Sequence, residues 1–411
     1  MQYISLYKLF FIDEKEAKNE YDKRYNHPFS KKLNLDIKDY PSFYVVNEEM
    51  LKIIENIHLL NNKIILLTKG NRNLPLIFID SLLRQTFIEE IQMTNEIEGV
   101  ISTRKDIKVL MNAEKPTKYK RLYGLVNKYN EILNQHEFHE ITSSSDIRDL
   151  YNKIIIKDIE RENSSDLPDG ILFRKEMVEV QSKGLAIHKG LHPESKIIDY
   201  LDKSLKILND QSISIFIRIA IFHYFFGYIH PFYDGNGRIS RFISSYYLNT
   251  QIDTLCSLQV SIACKKYQKK YYDGFKITND IRNKGDLTYF ILTFLEIFED
   301  SLKDLVDSII EKTNMYTTYL NIIQNRNEKN KNENNILLVL LQNYLFDIEG
   351  LSLTILLEIT NISKKTLENR LKTLIEENLI HVDKTNKTYL YSLNIEKIES
   401  IQSMQHENMA I

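Results

Sequence analysis

Residues 230–241 read His-Pro-Phe-Tyr-Asp-Gly-Asn-Gly-Arg-Ile-Ser-Arg. The apolar run before them, Ile213–Ile229, has the length of one buried helix, and Gly235-Asn236-Gly237 opens a second helix near Arg238. The first turn of a helix carries unpaired N–H groups and a positive dipole end, so such a corner attracts anions. Glycine lets the backbone approach phosphate oxygens with no Cβ in the way. Arg238 and Arg241 share a helix face over that seat, and each can grip phosphate through a planar fork. Asp234 at the lip supplies the single carboxylate that commonly holds Mg²⁺ together with phosphate oxygens and water. His230 offers a neutral imidazole able to take a proton from a hydroxyl. Phe232 reads as an apolar anchor. Each part suits a nucleoside triphosphate.

Taken singly, these features are ordinary. A lone Gly-Asn-Gly is a turn. His27-Pro28-Phe29 repeats the opening without the acid, the glycines or the arginines, and reads as a loop. Eight specified positions together have a chance probability on the order of 10⁻⁸ for a chain of this length with uniform composition.

Outward from this corner, apolar positions recur at helical spacing and few Pro or Gly interrupt them. The fold class is mainly α. Helices are expected near 47–67, 76–98, 104–113, 119–136, 145–158, 194–208, 212–229, 237–250, 265–278 and 286–312. The second carries an apolar stripe of Leu82, Leu83, Phe87, Ile91 and Ile97, with Gly99 as its C-terminal cap. Residues 1–45 read as irregular and polar. Within 171–192, Met177, Val178 and Val180 and then Ala186 and Ile187 flank Ser182-Lys183-Gly184, a β-hairpin signal. Residues 324–335 are polar and read as a linker. Beyond it, a helix at 336–346, a short helix after Leu351-Ser352, a helix at 362–377 and strands at 380–382 and 389–391 suggest a winged helix. The expected division is an N-terminal region at 1–75, a core at 76–312, a linker at 313–335, a winged-helix-like domain at 336–396 and a tail at 397–411.

The bulk properties fit this picture. A chain of 411 residues accommodates two or three domains, and 43% hydrophobic residues suffice for a sizeable core. A net charge of -2 provides no global field toward nucleic acid or membrane. Cys256 and Cys264 lack metal-site spacing and make no disulfide framework, which points to a cytoplasmic protein. The N-terminus lacks signal-peptide features, and Ile213–Ile229 is short for a span and contains Arg218 and His223. No membrane partner is expected.

The 230–241 stretch resembles the signature of Fic proteins, His-x-Phe-x-Asp/Glu-Gly-Asn-Gly-Arg-x-x-Arg, at every fixed position. The resemblance runs from about residue 40 to 300, through Phe173-Arg174, Tyr271-Tyr272 and Gly285-Asp286-Leu287-Thr288. It implies an all-helical core that transfers AMP from ATP to a Tyr, Thr or Ser hydroxyl of a protein, itself included, and releases pyrophosphate. His230 would be the base and Asp234 the Mg²⁺ ligand. Gly235, Asn236, Gly237 and Arg238 would cradle the phosphates, and Arg241 would place the γ-phosphate. The 171–192 hairpin would be the flap that pairs with an extended target segment. Tyr271 and Tyr272 would line the adenine pocket, with core packing an equal alternative. Some relatives transfer the γ-phosphoryl group or phosphocholine; intact Gly235 and Gly237 favour nucleotidyl transfer.

Thr94-Asn95-Glu96-Ile97-Glu98-Gly99 resembles the family's inhibitory motif. Thr94 and Glu98 share a helix face, and Glu98 lies in a last turn where the dipole disfavours an anion, so a cation should compensate. The resemblance implies that Glu98 pairs with Arg241 and obstructs the γ-phosphate, in a self-inhibited enzyme. Some relatives also use this Glu to remove AMP. The 362–377 helix carries Lys364, Lys365, Arg370 and Lys372 among Glu368, Glu376 and Glu377. This is either a solvated face or a contact for DNA or a protein partner. One rival reading is therefore a DNA-binding regulator whose Fic region senses nucleotide. A second, the toxin half of a toxin–antitoxin pair, is disfavoured by an in-chain Glu98. A homodimer stays an open alternative.

Overall fold

The computed structural model describes residues 3–72, 74–111, 113, 118–182, 185–326, 331–346, 350–385 and 388–401. Its chain is mainly helical and packs as two units, Met1–Ile65 with Thr86–Asp304, and Leu66–Gln85 with Leu305–Ile411. These boundaries differ from the segments expected from the sequence at 75/76 and 312/313. Among the described residues no helix is long and apolar enough to cross a membrane.

The first unit is built around the Ile215–Ile229 helix, which is buried on nearly every face and so has no polar stripe. It packs against the Glu194–Leu208 and Asn236–Leu248 helices. Its interior His223 is accommodated because both ring nitrogens are hydrogen-bonded, to Ser244 Oγ at 2.9 Å and Tyr271 Oη at 2.8 Å. Two expected helices are broken. The one at 145–158 becomes Ser144–Ile154 and Ile156–Glu162, and the one at 265–278 becomes Val260–Lys266 and Gln268–Thr278.

The N-terminus differs from the irregular stretch expected there. It forms helices Leu6–Ile12 and Glu14–Tyr25, then a hairpin of Ser30–Ile37 and Tyr40–Val45. Capping explains the helices: Ser5 Oγ accepts from Lys8 N, and Asp13 Oδ1 from Lys15 N and Glu16 N. The Glu14–Tyr25 helix buries only Ala17, so its polar sequence hid it. The hairpin tucks Leu35, Ile37, Phe43 and Val45 inward, and Lys38 turns it with φ 57°. The second His-Pro-Phe, at 27–29, is an exposed connection into this hairpin.

Within 171–192 the strands are Glu179–Ser182 and Leu185–Lys189, antiparallel, with a bulge between Val180 and Gln181. Met177 and Val178 precede the strand, and the expected turn residues Lys183 and Gly184 lie outside the described residues.

The Thr288–Arg326 helix, whose residues from Leu305 belong to the second unit, ends inside the polar 324–335 tract, and the Lys331–Phe346 helix begins within it. The tract is helical at both ends because neighbouring Ile322, Ile323, Ile336 and Leu337 are buried and anchor it. Helices Leu353–Thr360 and Lys364–Glu376 follow, capped by Ser352 and Ser363. Strands Leu351–Ser352, Leu390–Leu393 and Ile380–Asp383 form a sheet with Leu390–Leu393 in the centre. Leu356, Leu367, Leu371, Leu374, Ile380 and Leu393 form much of its core. Of the expected tail at 397–411, residues 397–401 are helical with Ile398 buried, and those from 402 lie outside the described residues.

Candidate active site

The Ile215–Ile229 helix ends at His230, which adopts the left-handed conformation with φ 52° and ψ 63°. That conformation costs a non-glycine residue on the order of 1–3 kcal/mol unless its surroundings hold it. Here Arg174 holds it, with Nε donating to His230 O at 2.8 Å. The loop is stapled further along. Asn236 Oδ1 accepts from Phe232 N at 3.0 Å, and its Nδ2 donates to Phe232 O at 2.8 Å. Phe232 is fully buried and stacks on Tyr151 with centroids 3.8 Å apart. The Asn236 side chain therefore shapes the loop, leaving its backbone N–H to the corner.

Gly235 starts the Asn236–Leu248 helix with φ 85°, a conformation natural only to glycine, and no side chain caps the first turn. A Cβ at Gly235 would press on Ile155. This uncapped helix end opens on a cavity of about 250 Å³, whose walls include His230, Asp234, Gly235, Gly237, Arg241 and Tyr272.

Arg241 lies on the cavity wall with its side chain 1% exposed. Its Nε donates to Thr94 Oγ1 at 2.9 Å, and Nη2 to Thr94 O at 3.0 Å and Glu98 Oε1 at 2.7 Å. Burial, the largest single influence, pulls its pKa down, but the Glu98 charge together with Tyr271, Cys264 and the Glu98 hydrogen bond outweighs it and the net shift is upward. The Glu98 carboxylate lies so close over Gly237 that any Cβ there would collide with it. Thr94 and Glu98 thus both meet Arg241, the partner that the resemblance implies for Glu98. The chain's own anion sits against the glycine corner.

Arg238 departs from the expectation that both arginines face one anion. It is equally buried but is absent from the cavity wall; its Nη2 donates to Asp234 Oδ2 at 3.1 Å. Its Nε is buried and has no hydrogen-bond partner among the described residues. Asp234 is 38% exposed on the cavity wall and also accepts from Gly235 N. Among the described residues no group of three His, Cys, Asp or Glu could hold a metal. A divalent cation at Asp234 would therefore need oxygens from a bound phosphate and water. That donor set suits Mg²⁺.

The His230 pKa is lowered to about 4, first by burial and then by Arg174 and His188; a backbone hydrogen bond at Gly227 and the charge of Asp234 oppose this. The ring is neutral at physiological pH, the form that can accept a proton. Tyr271 and Tyr272 both reach the cavity wall. Tyr271 is also packed, its hydroxyl bonded to His223, so the two readings of this residue meet in one side chain. Burial pushes the Tyr271 pKa well up and that of His223 down to about 3.

Several residues on or near this site were not singled out beforehand. Phe275 and Asn279 also line the cavity. They follow Tyr271 at four-residue steps, so a helical projection from Tyr271 finds them. Glu90, one turn before Thr94, is wholly buried; its carboxylate accepts from Ser261 N at 2.8 Å and Ile262 N at 3.2 Å and is pushed up in pKa by burial. It anchors the Thr94–Glu98 face to the core. Glu179 and His188 bring the hairpin to the cavity.

The model of the Fic/DOC family matches residues 141–248, which span the hairpin and the 230–241 corner. A Fic family protein from Desulfovibrio desulfuricans G20 shares the fold at 18% identity and a TM-score of 0.52, covering 86% of this chain and 98% of that one. A fragment of Fic-1 from C. elegans is 19% identical with a TM-score of 0.40, covering 64% of this chain and 73% of that one. No curated protein matches. Residues 141–248 are a Fic/DOC family domain. Proteins with this domain are generally transferases that act on proteins.

Proposed function

We propose that this chain is a self-inhibited protein adenylyltransferase that uses ATP and Mg²⁺. The observation that carries the reading is the Glu98 carboxylate, paired at 2.7 Å with buried Arg241 and lying over Gly237. An acid from the same chain fills the place where the glycine corner and the arginine would seat a terminal phosphate. Removing it frees a buried cation and an uncapped helix end, both suited to phosphate.

In the reaction proposed, neutral His230 takes the proton of a Tyr, Thr or Ser hydroxyl presented along the Glu179–Lys189 hairpin. The oxygen attacks the α-phosphorus, the P–O bond to pyrophosphate breaks, and AMP stays on the protein. The N–H groups of Gly235–Gly237 and the Arg241 charge stabilise the phosphates. Mg²⁺ held at Asp234 would neutralise phosphate charge. Tyr271, Tyr272 and Phe275 give the base an aromatic wall.

The experiment compares the unaltered chain with Glu98→Gly, each incubated with Mg²⁺ and ATP labelled at the α or the γ position. Stronger α-label incorporation in Glu98→Gly, with one AMP added by intact mass, is expected. Label from the γ position alone would replace AMP transfer with phosphoryl transfer. Equal or weaker labelling in Glu98→Gly would remove the brake.

A further inference from the structure

Arg174 is fully buried. All its side-chain hydrogen bonds go to backbone carbonyls: Nε to His230 at 2.8 Å, Nη1 to Glu176 at 2.5 Å, and Nη2 to Leu191 at 2.8 Å and Ile229 at 3.3 Å. A guanidinium taken out of water is costly unless its donors are met, and here four carbonyl dipoles meet them. Those carbonyls belong to three pieces of chain. Ile229 and His230 form the helix end, Glu176 lies on the way into the hairpin, and Leu191 lies on the way out. The backbone of Arg174 adds a fifth hydrogen bond, to the same loop as His230, its N–H donating to Pro231 O at 3.3 Å. Gly190 makes room for this: a Cβ there would strike Arg174 Nη2 and reach His230 Cβ at 3.3 Å.

We propose that Arg174 is the positioning residue of this site, clamping the His230 backbone and both stems of the hairpin to one rigid guanidinium plane. The inference rests on the adenylyl-transfer reading and gives it a specific part. The hydroxyl arrives on the hairpin and the base sits on the loop, so their separation is set by whatever joins hairpin to loop. A planar fork fixes that separation, whereas a single flexible ammonium cannot. His230 also needs an external hold because its backbone is left-handed. Burial does most to keep the His230 imidazole neutral; of the charges acting on it, Arg174 and His188 favour the neutral ring and Asp234 opposes them, with Arg174 the largest.

The test places Arg174→Lys and Arg174→Met in the full chain carrying Glu98→Gly, and measures kcat and KM for ATP together with the His230 imidazole titration by NMR. Lys keeps the charge and loses the fork. It is expected to lower kcat roughly 100-fold while KM for ATP stays within about threefold, the mark of misplaced reacting groups. The His230 pKa should hold in Lys and rise in Met, where the charge is gone; a merely structural role would move neither selectively. A Lys variant with kcat within about twofold of its parent would overturn the clamp. So would a raised KM with unchanged kcat, which would make Arg174 a nucleotide-binding residue instead. If Met does not fold, the Lys variant alone decides. If the parent shows no transfer at all, the transfer reading fails, while the imidazole titration still judges the clamp.

Discussion

Two helices of this molecule treat their basic residues in opposite ways. In the Asn236–Leu248 helix, Arg238 and Arg241 are each 1% exposed and held by named partners, Asp234, Thr94 and Glu98. In the Lys364–Glu376 helix, Lys364 and Lys372 are 69% and 78% exposed, and they meet Glu368 and Glu376 only at 4.0 and 3.9 Å. A buried cation that loses its partner costs several kcal/mol, whereas an exposed pair contributes about 0–1 kcal/mol. The first arrangement therefore needs a reason, and the anion seat proposed for this corner, filled here by Glu98, would supply one. The second needs none beyond solubility.

The comparison breaks most sharply at His230. His230→Ala should lower protein labelling by roughly 10²–10⁴-fold while ATP binding, measured by calorimetry, persists. Loss of binding along with labelling would show that the imidazole shapes the corner and does no proton transfer. Undiminished labelling would hand the proton to another group. The next effect sharpens the contrast in partners. Without nucleotide, Glu98→Gly should be less stable than the unaltered chain by about 2–3 kcal/mol, because Arg241 loses its counterion. The lower end applies because Thr94 still accepts from Arg241 and Glu98 is partly exposed. ATP with Mg²⁺ should then raise the melting temperature more in Glu98→Gly than in the unaltered chain. Equal shifts would mean that phosphate and Glu98 do not compete for one cation.

Burial also gives the first unit a pH signature that the exposed helix lacks. The His223 pKa lies at about 3 because the ring is buried beside Arg241. In the unfolded chain it would titrate near 6.5. Its folded pKa is thus depressed, so below about pH 6.5 the unfolded state binds a proton that the native state refuses. Stability should fall as pH drops, by up to about 1.4 kcal/mol per pH unit for this one group. Urea unfolding of the unaltered chain and of His223→Phe from pH 7 to 5 tests this. The variant should have the shallower slope over that window, and matching slopes would mean His223 is not held neutral.

What could be read from the sequence follows the same divide. A phosphate seat needs residues at fixed spacing around one corner, so His230 to Arg241 is legible as a string, and so is the four-residue step from Thr94 to Glu98. Arg174 is different: it acts on His230 across fifty-six positions, through backbone carbonyls that leave no trace in residue identity. Glu90 likewise acts on Ser261 across 171 positions. The N-terminal hairpin was missed because consecutive Lys31 and Lys32 interrupt a two-residue alternation that only Leu33, Leu35 and Ile37 keep. The polar 324–335 tract looked like a linker because helix can continue over polar residues when buried neighbours anchor it.

The smallest expected effect concerns the exposed helix. Replacing Lys364, Lys365 and Lys372 together by Ala should change stability by less than about 0.5 kcal/mol per site and leave AMP labelling unchanged, since none of them is buried. The same variant judges the regulator reading. If this helix met DNA, each lost phosphate contact would reduce the salt dependence of binding by about one unit of slope. Arg370, the other cation there, is already tied to buried Glu333 at 3.2 Å, which lowers its value as a phosphate ligand. Salt titrations with duplex DNA of mixed sequence should therefore give the same weak binding for both proteins. A slope smaller by about three units in the variant would overturn that expectation, since the exposed lysines would then be meeting phosphate as buried Arg241 is proposed to do.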